Sequence, residues 1–195
     1  MKGLIANNRV ILLIPTPPIM PRQTIAIDMD EVVADVIPKF TDLYEQHFGV
    51  RPTPESYYGR KLYEDADAQF LRDALHEPGF FRDLPVMDNA VEVIRELHQT
   101  YDIYFVSAAM EFRNSFMDKF DWLNDHFPFI PWKNWVFCGK KNIIGTDYLI
   151  DDHVRNLTTF RGTGLLYTAS HNVHNEDFVR VNNWLEIREY FNENG

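Results

Sequence analysis

Five short apolar runs, each followed by polar or charged residues and separated by stretches of helical spacing, constrain the fold of this chain more than any other feature. They are Ile25-Ala26-Ile27, Ile103 to Val106, Trp135 to Cys138, Tyr148 to Ile150 and Leu165 to Tyr167. A run that is apolar throughout suits a strand covered on both faces, as strands of a parallel sheet are. Between the runs, apolar residues recur every three or four positions. Phe40, Leu43, Tyr44 and Phe48 form one such face, with Pro38 where a first helical turn tolerates it and Gly49 as the stop. A second holds Val91, Ile94 and Leu97 behind Asp88 as N-cap, a third Phe116, Phe120, Leu123 and Phe127, and a last helix carries Phe178, Val181 and Leu185. Strands alternating with helices predict an α/β fold with a doubly wound, Rossmann-like parallel sheet.

Two segments interrupt the alternation. Residues 1–23 combine Val10 to Ile14 with Pro15, Pro17, Pro18 and Pro21, which suits neither a helix nor a central strand, so they read as an N-terminal extension. A signal peptide would need a longer apolar stretch and a small-residue cleavage site. Met20 is an alternative start. Residues 36–86 carry a loop with Pro52, Pro54 and Tyr57-Tyr58-Gly59, then a helical stretch with Phe70, Leu71, Ala74 and Leu75. They read as a mostly helical insertion, leaving 24–35 and 87–195 as the core.

Composition removes several function classes. The single cysteine, Cys138, excludes an intramolecular disulfide and a cysteine-rich zinc site, and makes a reducing, cytoplasmic setting the expectation. The longest aliphatic run, Val10 to Ile14, falls far short of the ~18 residues that span a bilayer, so no membrane partner is expected. With 19 basic and 29 acidic side chains the net charge is −10, which disfavours a polynucleotide partner. A small anion held through a metal stays compatible with that charge.

In a doubly wound sheet the ligand lies at the carboxyl ends of the strands. There, the first run ends in Asp28 and Asp30, whose i, i+2 spacing points both carboxylates to one side with Met29 opposite. The second ends in Ser107, the third leads to Lys140 and Lys141, and the fourth ends in Asp151-Asp152. Singly, these are strand-end hydroxyls, surface lysines and turn starters. Together they describe a site for a hard divalent cation and a phosphate, because two facing acidic pairs repel without a cation between them. His171 and His174 form a weaker metal pair. Tyr57, Tyr58, Phe80 and Phe81 offer flat faces for a planar ligand, or simply a core for the insertion.

Ile25 to Asp30 with Ser107, Lys141 and Asp151-Asp152 resembles the four-motif signature of haloacid dehalogenase superfamily phosphatases. Asp28 to Asp35, Gly79 to Pro85, and Leu149 to Asp152 preceded by Lys141 are similar, within it, to 5'(3')-deoxyribonucleotidases. The resemblance spans roughly residues 24 to 160 and implies that the insertion is a small helical cap. It further implies Asp28 as the nucleophile that forms an aspartyl-phosphate and Asp30 as the general acid and base. Mg²⁺ would be held by Asp28, Asp152 and the backbone carbonyl of Asp30, with Asp151 behind them. Ser107 and the backbone N–H of Ala108 would bind phosphate, Lys141 would offset its charge, and Tyr57, Tyr58 and Phe81 would contact the base. Five positions depart from the pattern: Glu31 stands in place of glycine, Val36 of phenylalanine, Ala108-Ala109 of Ser-Pro, and His153 of arginine.

The resulting expectation is a Mg²⁺-dependent phosphomonoesterase acting on nucleoside monophosphates. Two other readings use the same residues: a phosphatase of the same superfamily for another small ester such as a sugar phosphate, and a catalytically silent nucleotide- or partner-binding module. The sequence carries no signal for oligomeric state.

Overall fold

The computed structural model describes residues 21–194. The extension read over residues 1–23, and Met20 as its alternative start, therefore lie almost wholly outside the described residues. Six parallel strands form one sheet: β1 (Thr24–Ile27), β2 (Asp102–Ser107), β3 (Trp135–Phe137), β4 (Tyr148–Asp151), β5 (Thr163–Tyr167) and β6 (Val179–Val181), in the order β3-β2-β1-β4-β5-β6. Strand order reverses between β1 and β4, which opens a crevice at their carboxyl ends. Ile27 pairs with Phe105 on one side and Ile150 on the other, so Asp28, Val106-Ser107 and Asp151 emerge at one level.

The helices are α1 (Ile37–Phe48), α2 (Gln69–Ala74), α3 (Ala90–Leu97), α4 (Ser115–His126), α5 (Val154–Thr158) and α6 (Trp184–Asn194). Pro38 sits in the first turn of α1, and Gly49 ends that helix in the left-handed conformation, φ 72°. The helical region inserted between β1 and α3 leaves and re-enters the core side by side. Asp35 donates its backbone N–H to the Pro85 carbonyl at 2.8 Å, and Met87 to that of Val33 at 2.9 Å.

Three sequence expectations are corrected. Phe178 and Val181 do not share a helix with Leu185: Val179–Val181 adds a sixth strand beside β5. The Asn183 side chain then caps α6, accepting the N–H groups of Leu185 and Glu186 at 2.9 and 3.0 Å. Asp88 does not cap α3, because Asn89 intervenes at φ 63° and the helix begins at Ala90. On α4 the buried stripe is Ser115, Lys119, Trp122 and Leu123, whereas Phe120 is exposed and packs its ring edge on Trp135.

Two buried indoles brace the core beneath the crevice. Trp122 Nε1 donates to the Leu84 carbonyl and Trp184 Nε1 to the Val32 carbonyl, both at 2.8 Å. Val32 belongs to the turn that follows the Asp28-Met29-Asp30 segment, so α6 is tied directly to the edge of the site. Trp184→Phe keeps most of the apolar volume but orphans that carbonyl, and should destabilise the protein by about 1–3 kcal/mol. Urea unfolding monitored by circular dichroism checks this; an unchanged midpoint would show that the indole N–H contributes nothing.

Candidate active site

At the end of β1 the chain turns sharply: Met29 O accepts the N–H groups of Val32, Val33 and Ala34 at 3.3, 2.9 and 2.9 Å. This turn presents Asp28, Asp30 and Glu31 toward the crevice. Asp28 Oδ1 accepts from the Met29 N–H at 2.7 Å and lies 2.5 Å from Lys141 Nζ. Lys141, in the turn after β3, also donates to Asp151 Oδ2 at 2.7 Å. All three side chains are buried. Burial works against a charged Asp28, yet the Lys141 charge and hydrogen bond, with the Met29 N–H, hold its carboxyl below the usual range.

Asp151 and Asp152 end β4 with different roles. Asp151 is fully occupied: besides Lys141 it accepts the His153 N–H at 2.8 Å and the Asn156 side chain at 2.9 Å. Asp152 is equally buried, and neither carboxylate oxygen accepts a well-formed hydrogen bond, although His171 Nε2 lies 3.2 Å and Lys61 Nζ 3.7 Å from Oδ2. Burial first, then Asp28, Glu31 and Asp151, push its carboxyl well above the ordinary range, with Lys61 opposing. An orphaned buried carboxylate is costly unless a proton or a cation meets it.

Ligand oxygens of Asp28, Asp151 and Asp152 lie within 4.8 Å of one another. Five carboxylates, Asp28, Asp30, Glu31, Asp151 and Asp152, face three ammonium groups, those of Lys61, Lys119 and Lys141. The surplus of carboxylates over ammonium groups and the oxygen donors of Asp28, Asp151 and Asp152 fit a hard divalent cation. Asp152, His153 and His171 form a second group with donor atoms equally close. His171 belongs to this second group, and the His174 ring lies beside Gly59.

Lys119 is not singled out by the sequence, yet it ties the site together. Its Nζ donates to Asp30 Oδ2 at 2.6 Å and to Ser107 Oγ at 3.0 Å. The available signal is its position on α4, since a lysine in a buried stripe must have an anionic partner. Lys61 is also unanticipated: it reaches in from the inserted region to Glu31 at 2.8 Å and lies 3.7 Å from Asp152.

The cleft above these groups measures about 220 Å³. Phe81, Val36 and Ala108 line it. Tyr57 and Tyr58 do not: they border a separate, largely apolar hollow with Ile37, Pro54 and Met87. The short 3₁₀ turn Pro54–Tyr57 directs the Tyr57 ring into the core, while Tyr58 is 44% exposed. Tyr63 and Phe112 supply the aromatic wall of the cleft in their place, together with Arg72 at its mouth. Phe80 packs against Phe40 at 5.4 Å between ring centres.

Residues 22–192 match the protein family described as "5' nucleotidase, deoxy (Pyrimidine), cytosolic type C protein". The chain belongs to this family. Curated relatives include a protein of Staphylococcus epidermidis named "Putative 5'(3')-deoxyribonucleotidase", 45% identical over 89% of this chain and 98% of its own length. The 5'(3')-deoxyribonucleotidase of Bacillus subtilis is 36% identical over 85% of this chain and 96% of its own. Among solved structures, a haloacid dehalogenase-like protein of Agrobacterium tumefaciens superposes with TM-score 0.57 at 13% identity, covering 89% of this chain and 99% of that one. That likeness places the fold in the haloacid dehalogenase class. No helix among the described residues is long and apolar enough to cross a membrane.

His153, beside Asp152, carries a pH consequence. Burial first, then the Lys61 charge, depresses its imidazole to about 2. The unfolded chain protonates that ring near 6.5. A base with a depressed folded pKa contributes stability above its unfolded value and loses it as pH falls, here from about 6.5 downward. His153→Asn should flatten the acid limb of the stability curve by up to one proton, roughly 1.4 kcal/mol per pH unit. Thermal unfolding of both proteins from pH 7 to pH 4.5 measures the difference, and parallel curves would show that the ring titrates normally.

Proposed function

We propose that the protein is a Mg²⁺-dependent phosphomonoesterase that hydrolyses (deoxy)ribonucleoside monophosphates. The observation that carries this reading is the pairing of an Asp28 held ionised by Lys141 with an orphaned Asp152 beside it, in a chain of the deoxyribonucleotidase family. Both contacts to Asp28 fall on Oδ1, so Oδ2 is the oxygen offered to phosphorus.

In the first step an Asp28 oxygen bonds to phosphorus as the bond to the sugar oxygen breaks, and Asp30 delivers a proton to the departing alkoxide. In the second, Asp30 takes a proton from water, the water oxygen bonds to phosphorus, and the Asp28–phosphorus bond breaks. Lys119 holds Asp30 and Ser107 on one ammonium, which sets the acid and the phosphate-binding hydroxyl at a fixed separation. Ser107 Oγ and the Ala108 N–H receive phosphate oxygens, and Lys141 offsets charge at Asp28. Carboxylates of Asp28 and Asp152 with the Asp30 carbonyl would hold the cation, Asp151 fixing Lys141 and the His153 backbone behind them. When bound, Mg²⁺ supplies charge neutralisation for the phosphate oxygens. Residues 36–86 act as the cap, and Phe81, Phe112 and Tyr63 offer the base its flat faces.

Asp28→Asn should remove turnover with the fold intact, and retention of more than about a hundredth of wild-type activity on deoxyribonucleoside monophosphates would overturn the nucleophile assignment. Calorimetric titration should show Asp152→Ala weakening Mg²⁺ binding by about 10-fold or more beyond any effect of Asp151→Ala. Equal isotherms would refute that division. Phe112→Ala should lower kcat/KM for nucleotides by about 5- to 150-fold while changing p-nitrophenyl phosphate hydrolysis much less. Tyr57→Ala should instead lower the melting temperature, since its ring is core. A parallel loss on both substrates in Phe112→Ala would mean that this wall positions phosphate and reads no base.

A further inference from the structure

Glu31 and Asn89 are the two non-glycine residues with positive φ among those described, and Glu31, at φ 60°, lies in the turn that carries Asp28 and Asp30. A side chain disfavours this conformation, and such strain persists where surrounding contacts over-determine it. Here the contacts are specific. Glu31 is buried, and its Oε2 accepts from Lys61 Nζ at 2.8 Å, across 30 residues of sequence. Lys61 is itself held at both ends. Its backbone N–H donates to Glu64 Oε2 at 3.0 Å, the next residue, Leu62, is buried in the core, and its ammonium lies 3.7 Å from Asp152 Oδ2. Just upstream, the Gly59 N–H donates to the Ser170 carbonyl at 2.8 Å, docking the same segment on the loop after β5.

The segment so fixed leads directly into Tyr63 and Glu64, which line the cleft. A buried ion pair adds little net stability compared with apolar side chains of similar size, so a strained residue retained to make one points to a task other than stability. We propose that Glu31 and Lys61 form a latch that fixes the inserted region over the cleft and, from the cleft wall, orients the Asp152 carboxylate. Both reach the wall of the cleft, and their part there is positioning: they hold the 59–64 segment and Asp152 and are not the groups that exchange a proton with substrate. The latch rests on the phosphatase reading for its kinetic and Mg²⁺-binding consequences, and hydrogen exchange tests it independently of both.

The test uses the full chain and four variants: Lys61→Met, Lys61→Arg, Glu31→Gly and the double variant Glu31→Gly/Lys61→Met. Amide hydrogen exchange over residues 59–64, Mg²⁺ titration by calorimetry, and KM and kcat on p-nitrophenyl phosphate are read for each. Lys61→Met should speed exchange in 59–64 by about 10-fold or more, weaken Mg²⁺ several-fold, and raise KM more than it lowers kcat. Lys61→Arg, which keeps the charge, should stay within about 3-fold of wild type on every readout. The double variant removes both charges and the backbone strain. It should melt within a few degrees of wild type and match Lys61→Met in exchange and KM, because the two residues act as one unit. Unchanged exchange in the double variant, or effects of Glu31→Gly and Lys61→Met that multiply, would overturn the latch. Exchange and metal titration need no turnover, so an inactive protein with a loosened 59–64 segment would count against the enzymatic reading and leave the latch standing.

Discussion

Everything at the carboxyl edge of this sheet depends on one ammonium group buried between two carboxylates. Lys141 lies between Asp28 and Asp151 with all three side chains withdrawn from water. Stripping water from any one of them alone would cost several kcal/mol, so none is stable there without the others. The arrangement requires that the ends of β1 and β4 be neighbours and that the turn after β3 reach across to them. A strand order reversing between β1 and β4 provides both. Topology and electrostatics are thus one constraint seen from two sides.

The same logic extends outward through two more lysines. Lys119 answers Asp30 from α4, and Lys61 answers Glu31 from the inserted region. Each carboxylate of the β1 turn therefore has its ammonium from a different part of the chain. At the end of β4, Asp152 shares Lys61 at 3.7 Å without a hydrogen bond, and its carboxylate is the one that the proposed cation would meet. This is how a chain of net charge −10 accepts a dianionic substrate: local neutralisation, not overall charge, decides what the cleft admits.

Much of this was legible in the sequence because parallel strands announce themselves. Apolar runs ending in Asp28, Ser107 and Asp151 gave away both the sheet and its reactive edge, since a strand buried on both faces leaves chemistry only at its ends. The lysine partners were harder to see, because Lys119 meets Asp30 across 89 residues and no local pattern encodes that pairing. β6 was hidden for a different reason: three residues, Val-Arg-Val, are too few to show a period of their own beside the helix that follows. Tyr57 and Tyr58 misled because aromatic composition says nothing about direction, and the turn at Pro54 decides which hollow the rings enter.

The neck at Asp35 and Pro85 has an evolutionary consequence. Because the chain leaves and returns through two hydrogen-bonded neighbours, the stretch between them is a nearly closed loop grafted onto the core at a single point. Its length and sequence can drift without moving any strand, so long as the junction and the residues that meet the core are kept. If the inserted region is the cap proposed above, most of the substrate-facing wall can change apart from the hydrolytic edge, and a library confined to that loop would explore new phosphate esters on an unchanged catalytic floor.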